Sequence, residues 1–514
     1  YDGADHTVTV KVVVGGMVID TIDVELTYTF GGTTVDAMHN AGTYTVTVDV
    51  GALKAALGTE YVLSTTAVSE QTVEVQKATL TVTAAAKSIT VGGDEPPLTY
   101  TVDGLKNGDA FTGTLVRAEG TNPGVYAITL ADGYTITNGE TDVSANYDFS
   151  FVGANLTIKE AASLTVTTLD DVVDATDGKV SFREAWLAAN NKTSSLAVDG
   201  VYTISFDQSL TANYDSDGDT TADSYRIALD STLGTLSSAS IKLVVDGSIG
   251  TNRVILDGQG AFKMMDLRYG TITIQDFVIT GAKEKSTSGG VMTANGTITI
   301  RNVLFTGNNA GNGGAVIYTS GGTVNIYDSE FTNNTANNGG VFYQGGGTLN
   351  VYNSVFTGNT GTSASVYRSH GGGAATFVNS VFYGNNSGPA FELAGGSTMT
   401  LIDCIVADNG DANDSQIKMN KAGSVMNLIN TVVLKGTDNT ADAIQISSGT
   451  VNLYYSVTDK DYSGVANFNV TGGINNATFA DTLEVVNGLP QVIASSNAGK
   501  NGVLVGRDAA GNYY

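Results

Sequence analysis

Apolar and polar residues alternate in short runs over the first 160 positions of the chain. Examples are HTVTVKV at residues 6–12 and YTVTV at residues 44–48, and glycine-rich turns separate successive runs. A side-chain period of two, interrupted by turn residues, is typical of half-buried β-strands. The pattern therefore predicts all-β sandwich modules in this part of the chain.

The same region contains an internal repeat. The segment NAGTYTVT at residues 40–47 returns as NPGVYAIT at residues 122–129, and each copy ends in a strand-like run that closes with Lys77 or Lys159. Because a repeated pattern indicates a repeated fold, we expect two tandem β-sandwich modules, residues 1–77 and residues 78–160.

A helical pattern follows residue 161. Ser181 and Glu184 have the S-x-x-E spacing of a capping box, in which each side chain bonds the backbone N–H of the other residue. We therefore predict a short helix at residues 181–190. Its predicted buried face comprises Phe182, Trp186 and Leu187.

From about residue 245 the sequence repeats with a period near 25, which predicts a stack of coils. Aligned apolar residues serve as anchors, at positions 279, 305, 331, 356, 382, 406, 433 and 457. One unit cannot bury its apolar face alone, whereas stacked units form a continuous core. Residues 161–514 are therefore predicted to form a right-handed single-stranded parallel β-helix.

Several columns of this stack can be assigned from the period. Phe305, Phe331, Phe356 and Phe382 align as one inward column, and an asparagine follows each three residues later. We expect these asparagines to form the bends and to hydrogen-bond along the stack. Cys404 aligns with four serines and one threonine, so we expect a packing thiol and no nucleophile.

Composition and charge narrow the choice of partners. The formal charge of −26 over 514 residues makes nucleic acid a poor partner because like charges repel. A single cysteine excludes a disulfide scaffold and a cysteine-based zinc site. No apolar run reaches the roughly 18 residues of a membrane-spanning helix, so no span is expected in this chain.

Three motifs resemble those of bacterial surface proteins. The repeat in the first 160 residues resembles the MBG-type immunoglobulin-like (Ig-like) modules of adhesins, and SFREAW at residues 181–186 is similar to the LSLREAI-type cap of β-helix proteins. The F-x-x-N copies, with GGAV at residues 313–316, resemble the passengers of polymorphic outer-membrane autotransporters. These resemblances imply an extracellular bacterial location and stalk modules without a binding site.

An acidic loop is the sharpest local motif. The sequence DSDGDTTAD at residues 215–223 places four carboxylates in one loop, those of Asp215, Asp217, Asp219 and Asp223. Calcium prefers such oxygen ligands, so we expect a structural Ca²⁺ site. A solvated loop in an acidic protein is the alternative interpretation.

Two further patterns bear on function. Asp276 and Asp328 lie in one bend column two coils apart, roughly 9.6 Å from the strand spacing, which touches the upper range for inverting glycosidases. Bend formation explains the column better, and the one basic pair, Arg368 and His370, fits an exposed turn. Tyr327 and Tyr352 should point outward from adjacent coils, where they can meet a ligand or simply stack on each other.

The sequence thus favours an adhesin-like extracellular surface protein, which presents a rigid β-helix to a surface glycan or protein. The first alternative is a self-assembling fibre or sheath subunit that joins copies of itself head to tail. The second alternative is a polysaccharide lyase or hydrolase. We predict no catalytic residues.

Overall fold

A computed structural model describes residues 1–493 except positions 15, 60, 61, 63–69, 92, 193, 220 and 237. The chain divides into two compact units. Residues 1–161 with 175–178 form the first unit, and residues 162–174 with those from 179 onward form the second. The described residues are overwhelmingly β, and the second unit is a right-handed parallel β-helix of about nine turns.

The first unit consists of small, mostly antiparallel sheets. The elements are β1 Val10–Val14, β2 Met17–Ile22, β3 Leu26–Phe30, β4 Thr33–Val35, β5 Gly42–Val48, α1 Val50–Leu57, β6 Glu70–Val75, β7 Ala78–Ala84, β8 Lys87–Thr90, β9 Tyr100–Asp103, β10 Ala110–Thr112, β11 Leu115–Arg117, β12 Gly124–Leu130, β13 Thr135–Asn138, β14 Thr141–Asp142, a 3₁₀ turn Ser144–Asn146, β15 Tyr147–Val152 and β16 Ala154–Lys159. Strands β1 and β2 form a hairpin, and the other sheets have the strand orders β4-β3-β5-β6, β15-β7-β9, β11-β12-β16-β8 and β10-β13-β14.

The two copies of the internal repeat share a local structure. The Tyr44 hydroxyl donates to the carbonyl of Asn40 at 2.9 Å, and the Tyr126 hydroxyl donates to the carbonyl of Asn122 at 2.7 Å. In both copies the strand that carries the tyrosine pairs antiparallel with the strand that ends the module. The sequence repeat therefore corresponds to a repeated turn and strand pairing.

One helix in the first unit is absent from the sequence prediction. Helix α1 begins after Asp49, whose carboxylate accepts from the Ala52 N–H at 2.8 Å. Its apolar residues lack a helical repeat long enough to stand out, and Gly51 lowers its helix propensity further. Only Leu53 of this helix is buried.

The β-helix opens with irregular strands and the predicted cap. Its first elements are β17 Thr165–Val166, α2 Phe182–Asn190, a 3₁₀ turn Ser194–Leu196, β18 Tyr202–Phe206, β19 Arg226–Ala228, β20 Lys242–Asp246, β21 Ser248–Ile249 and β22 Asn252–Asp257. Helix α2 has both bonds of the capping box between Ser181 and Glu184. Phe182 and Trp186 are buried, but the prediction for Leu187 was wrong: it is 38% exposed, and the small Ala185 and Ala189 fill that face.

Each regular coil contributes three main strands, which stack on their counterparts as three faces. The first face comprises β23 Met265–Leu267, β27 Met292–Ala294, β31 Ile317–Thr319, β35 Phe342–Gln344, β38 Tyr367–Ser369 and β41 Phe391–Leu393. The second comprises β24 Thr271–Gln275, β28 Thr297–Arg301, β32 Thr323–Tyr327, β36 Thr348–Tyr352, β39 Ala374–Val378 and β42 Thr398–Ile402. The third comprises β25 Phe277–Thr280, β29 Leu304–Thr306, β33 Glu330–Thr332, β37 Val355–Thr357, β40 Val381–Tyr383, β43 Ile405–Ala407, β45 Val432–Leu434 and β47 Val457–Thr458.

The remaining strands extend or close these faces. Strands β44 Ile417–Ile429 and β46 Ile444–Tyr454 run through the first and second faces, and β48 Phe468–Thr471 ends the second. Short strands β26 Lys283–Glu284, β30 Asn309–Gly313 and β34 Thr335–Asn338 stack at one corner. The described chain ends with α3 Phe479–Thr482, β49 Leu483–Val486 and β50 Leu489–Val492.

The predicted inward columns are present. Successive rings of Phe305, Phe331, Phe356 and Phe382 lie 5.1, 4.6 and 4.7 Å apart, centroid to centroid, and are nearly parallel. One apolar cluster runs continuously from Leu164 to Tyr462. The last anchor was misplaced by one residue, because Thr458 and not Val457 pairs with Val433.

The predicted asparagine column forms a buried chain of hydrogen bonds, but the expectation that these residues form the bends was wrong. The left-handed backbone angle belongs to the residue before each one, such as Gly307 or Asn333. The side-chain amides of Asn308, Asn334, Asn359 and Asn385 each donate to the side-chain oxygen of the next asparagine, at 2.7–3.0 Å, and the chain reaches Asn409. Cys404 is also fully buried, and its backbone N–H donates to the hydroxyl of Thr431 in the same column. Burial raises the pKa of the Cys404 thiol to about 12.

The C-terminal hairpin β49–β50 was not foreseen. Leu483 and Val492 pack on Ile405, Val432 and Leu434, whose side chains point outward from the third face. This hairpin therefore covers apolar residues that would otherwise face solvent.

Candidate functional site

The bend column at the end of the second face is structural. Its seven members all adopt left-handed backbone angles, with φ between 46° and 59°: Asp276, Asn302, Asp328, Asn353, Asn379, Asp403 and Asn430. The amide of Asn302 donates to Asp276 at 2.6 Å, and the amide of Asn353 donates to Asp328 at 3.1 Å. These carboxylates thus accept hydrogen bonds from the next coil, as expected of residues that form bends.

Tyr327 and Tyr352 lie on adjacent coils of the second face and stack on each other. Their ring centroids are 5.0 Å apart and their planes differ by 9°. The guanidinium carbon of Arg301, one coil before, lies 4.1 Å from the Tyr327 centroid. Both faces of the Tyr327 ring are therefore covered, so this pair offers ring edges and hydroxyls to a partner more readily than ring faces.

The tyrosine pair belongs to a longer outward column, which we call the apolar stripe. In strand register, Tyr327 and Tyr352 are followed by Val378, Ile402, Ile429 and Tyr454. All six side chains are partly or well exposed. With about 4.8 Å between strands, the stripe extends over roughly 24 Å.

A polar column runs beside the apolar stripe, two residues earlier in each strand. Its members are Asn325, Asn350, Thr376, Thr400, Asn427 and Asn452. Asn350 donates to Asn325 at 2.9 Å, and Asn452 donates to Asn427 at 2.8 Å. The second face therefore presents an apolar line and a line of amides and hydroxyls in parallel, without an enclosing pocket among the described residues that line it.

The basic pair of the sequence prediction lies on the first face. The His370 ring stacks on Tyr343, with 4.2 Å between centroids, and lies 6.1 Å from Tyr318. Arg368 pairs with the almost fully buried Glu392. Burial, followed by the nearby Arg368 charge, lowers the pKa of His370, so this ring is neutral at pH 7.

The acidic loop brings three of its four predicted ligands together. One oxygen from each of Asp215, Asp217 and Asp219 lies within 4.8 Å of the others. The Asp223 carboxylate accepts instead from the Ser216 N–H at 3.1 Å and from its hydroxyl at 3.0 Å. The hydroxyl bond is the main reason that the pKa of Asp223 is lowered.

A cleft of about 370 Å³ lies at the base of this loop. The residues that line it include Asp171, Tyr214, Arg226 and Asp230. Arg226 is paired with Asp257 and lies over the Tyr214 ring at 4.8 Å, while Asp171 is paired with Arg183. The charges of Arg226 and Asp171 are thus paired within the protein.

Sequence reasoning found the tyrosine pair but missed Arg301 and the rest of the apolar stripe. The signal was available, since the 25-residue period aligns Arg301, Val378, Ile402, Ile429 and Tyr454 with Tyr327. Extending the outward column in both directions along the repeat would have identified them.

Comparison with known families matches residues 80–157 to the MBG domain (YGX type) and residues 265–433 to the right handed beta helix region. Neither the curated proteins nor the solved structures give a match. Both domain types are typical of extracellular bacterial surface proteins. Among the described residues, no helix is both long and apolar enough to cross a membrane.

Proposed function

We propose that this chain is an adhesin-like extracellular bacterial protein that attaches to surface glycans or proteins through the second face of its β-helix. The apolar stripe is the observation that supports this proposal most directly. Binding sites on a coil stack are extended surfaces, and a continuous line of partly exposed apolar side chains is a surface suited to a partner. The polar column beside the stripe can supply hydrogen bonds along the same line.

The acidic loop supports a structural role for calcium. Asp215, Asp217 and Asp219 would supply the carboxylate oxygens, and a bound divalent ion would relieve the repulsion among them. Asp223 lies outside this group and is held by its bonds to Ser216. We therefore propose Ca²⁺ as a stabilising ion of this loop and not as part of the binding face.

Attachment is tested with the purified chain coupled to beads. Beads would be counted on cultured cells, on extracellular matrix and on an array of surface glycans. Replacing Ile402 and Ile429 with serine should reduce the captured beads at least fivefold. Tyr269→Ser is the matched control, because Tyr269 is 49% exposed and lies outside the stripe. Equal capture by all three proteins would refute the proposed binding face.

The end of the β-helix at β48 favours the alternative function, a self-assembling fibre. Helix α2 covers the first coil, whereas the outer edge of β48 pairs with no other strand among the described residues. Such an edge can accept a strand from another copy. Filaments visible by negative-stain microscopy, with calcium or with chelator, would support the fibre in place of the adhesin.

A polysaccharide lyase or hydrolase has the least support, because the bend carboxylates are bonded to neighbouring amides and Arg368 is paired. A fall in the viscosity of pectin-like polymers would be the result in its favour.

A further inference from the structure

The second face of the β-helix carries no charged side chain over six consecutive coils. Each of the strands β32, β36, β39, β42, β44 and β46 contributes three outward positions there, because buried and exposed side chains alternate along it. None of these eighteen positions holds Asp, Glu, Lys, Arg or His, although the whole chain contains 51 acidic residues and has a formal charge of −26. We call this surface the uncharged facet.

The uncharged facet consists of three parallel columns. The apolar stripe and the polar column beside it are two of them, and a third, which we call the outer column, lies two residues earlier again in each strand. Outward positions two apart in a strand are separated by roughly 6.6 Å, so the three columns span roughly 13 Å and repeat about every 4.8 Å along the axis. The outer column contains Thr323, Thr348, Ala374, Thr398, Val425 and Thr450.

The backbone of the uncharged facet is already paired. Each of its six strands lies between two neighbouring strands of the second face. A partner therefore cannot add a strand to this surface and has to be recognised by side chains alone. An anionic polymer would find no cation on the facet and would be repelled by the acidic remainder of the chain.

The regular spacing of the columns favours a polymer over a globular protein. Every coil presents an apolar side chain, an amide or hydroxyl group and an outer-column residue, so a partner with a repeating unit can use each coil in the same way. A sugar ring has apolar C–H faces and hydroxyl groups at its edge, and its length in an extended chain is similar to the distance between coils. The amides suit such hydroxyl groups, because Asn350 donates one N–H to Asn325 and a side-chain amide carries a second.

We propose that the uncharged facet binds a neutral, linear polysaccharide that lies parallel to the axis of the β-helix, with one sugar ring on each coil. This inference rests on the proposed function, since it assigns the ligand of the same face. The rings contact the apolar stripe, and their hydroxyl groups bond to the polar and outer columns. Tyr327 contributes its ring edge and hydroxyl, because Tyr352 and Arg301 cover the two faces of its ring.

The dependence of affinity on ligand length is the decisive measurement. Calorimetry with the whole chain would use oligosaccharides of two, four and six rings from β-1,4-linked glucan, mannan and chitin, with a six-ring oligogalacturonate as the anionic probe. In at least one neutral series the six-ring form should bind at least tenfold more tightly than the two-ring form, because each added ring contacts one more coil. The anionic probe should bind at least tenfold more weakly than that six-ring form.

A charge in the middle of the uncharged facet tests where the ligand binds. Thr376→Glu places a carboxylate in the polar column and should reduce the affinity for the six-ring ligand at least tenfold. Thr280→Glu is the matched control, because Thr280 is also a partly exposed threonine at an outward position, but on the third face, and it should leave the affinity unchanged. Thermal melts establish that each variant is folded, and Thr400→Glu replaces Thr376→Glu if the latter is not.

Two results would overturn the proposal. The first is the absence of length-dependent binding in all three neutral series, and the second is equal affinity of the Thr376 and Thr280 variants for the six-ring ligand. If bead capture still depends on Ile402 and Ile429 in that case, the proposed binding face remains and its ligand is a protein. If bead capture is also independent of these two residues, the binding face itself is refuted.

Discussion

The side-chain amide of Asn359 donates to the side-chain oxygen of Asn385, 2.9 Å away and one coil further along the stack. The same amide also donates to the carbonyl of Phe331, while the Asn359 oxygen accepts from the backbone and the side chain of Asn334. Asn359 thus links three coils through groups that are all excluded from water.

Replacing Asn359 with alanine should lower the free energy of unfolding by about 2–4 kcal/mol, because several buried polar groups lose their partners together. Chemical denaturation followed by circular dichroism measures this change. Asn350→Ala is the control: its amide makes a single bond, to Asn325, on the partly exposed outer side, so we expect a loss below about 1 kcal/mol. If the two variants lose the same free energy of unfolding, burial does not determine the cost of removing an asparagine.

The cap can be weakened separately. Ser181→Ala removes the acceptor for the Glu184 N–H and the donor to the Val172 carbonyl, which should cost about 1–2 kcal/mol. Trp186 is the only tryptophan and is buried on the cap, so its fluorescence reports this region directly. Asp49→Ala removes the equivalent cap of α1 and should leave the Trp186 signal unchanged.

Alkaline pH should destabilise the β-helix through buried acids that stay protonated. In the unfolded chain the Cys404 thiol ionises near its ordinary pKa of 9, whereas in the native state it remains neutral up to about 12. The unfolded state therefore loses its proton first, and stability falls as pH rises above 9, by up to about 1.4 kcal/mol per pH unit. Burial also raises the pKa of Tyr367 and Tyr462, which adds to the loss above pH 10.

Cys404→Ser isolates the contribution of the thiol. The column already holds serine and threonine at this position, so the substitution should be tolerated near pH 7. Denaturation midpoints at pH 8, 9 and 10 should then fall less steeply in the variant than in the parent chain. Identical slopes would show that the thiol does not contribute.

Gly345 determines the position of His370. A β-carbon at residue 345 would lie 2.8 Å from Cε1 of the histidine ring, too close for the observed stacking on Tyr343. Gly345→Ala should therefore displace the ring into solvent and raise the pKa of His370 toward its ordinary value of 6.5. An NMR titration measures this shift, and His370→Gln assigns the signal among the three histidines.

Calcium should stabilise the second unit if the acidic loop binds it. At a free Ca²⁺ concentration 100 times the dissociation constant, the gain would be about 2.7 kcal/mol. Asp217→Asn should weaken binding measured by calorimetry. Asp132→Asn, at an exposed site in the other unit, should not. If the parent chain gives no heat of binding with Ca²⁺, the acidic loop is a solvated loop that binds no calcium.

The regular coils and their inward columns could be predicted from the sequence because the period repeats the same chemistry many times. Phe305 and Asn308 each recur in the equivalent place of the next coil, so one correct alignment identifies whole columns. The same reasoning fails where nothing repeats. The docking of β49–β50 on Ile405 and Val432 depends on a single hairpin without an equivalent elsewhere in the chain.

Side-chain geometry was harder to foresee than the position of a residue on a face. The period placed Tyr327 and Tyr352 outward, but it did not show that Arg301 covers the other side of the ring. In the same way, the acidic loop indicated four carboxylates, and the bonds of Asp223 to Ser216 arise from a local turn. Both depend on rotamers that spacing alone does not determine.

The stacked columns also have an evolutionary consequence. Because each coil presents nearly the same side chains to the coil before and after it, a chain that gained or lost one unit of about 25 residues would keep the same neighbours at every junction. Unequal crossing-over between equivalent codons can therefore produce viable length variants, each differing in reach by about 4.8 Å per unit. Selection can therefore change the length of the β-helix without changing its core.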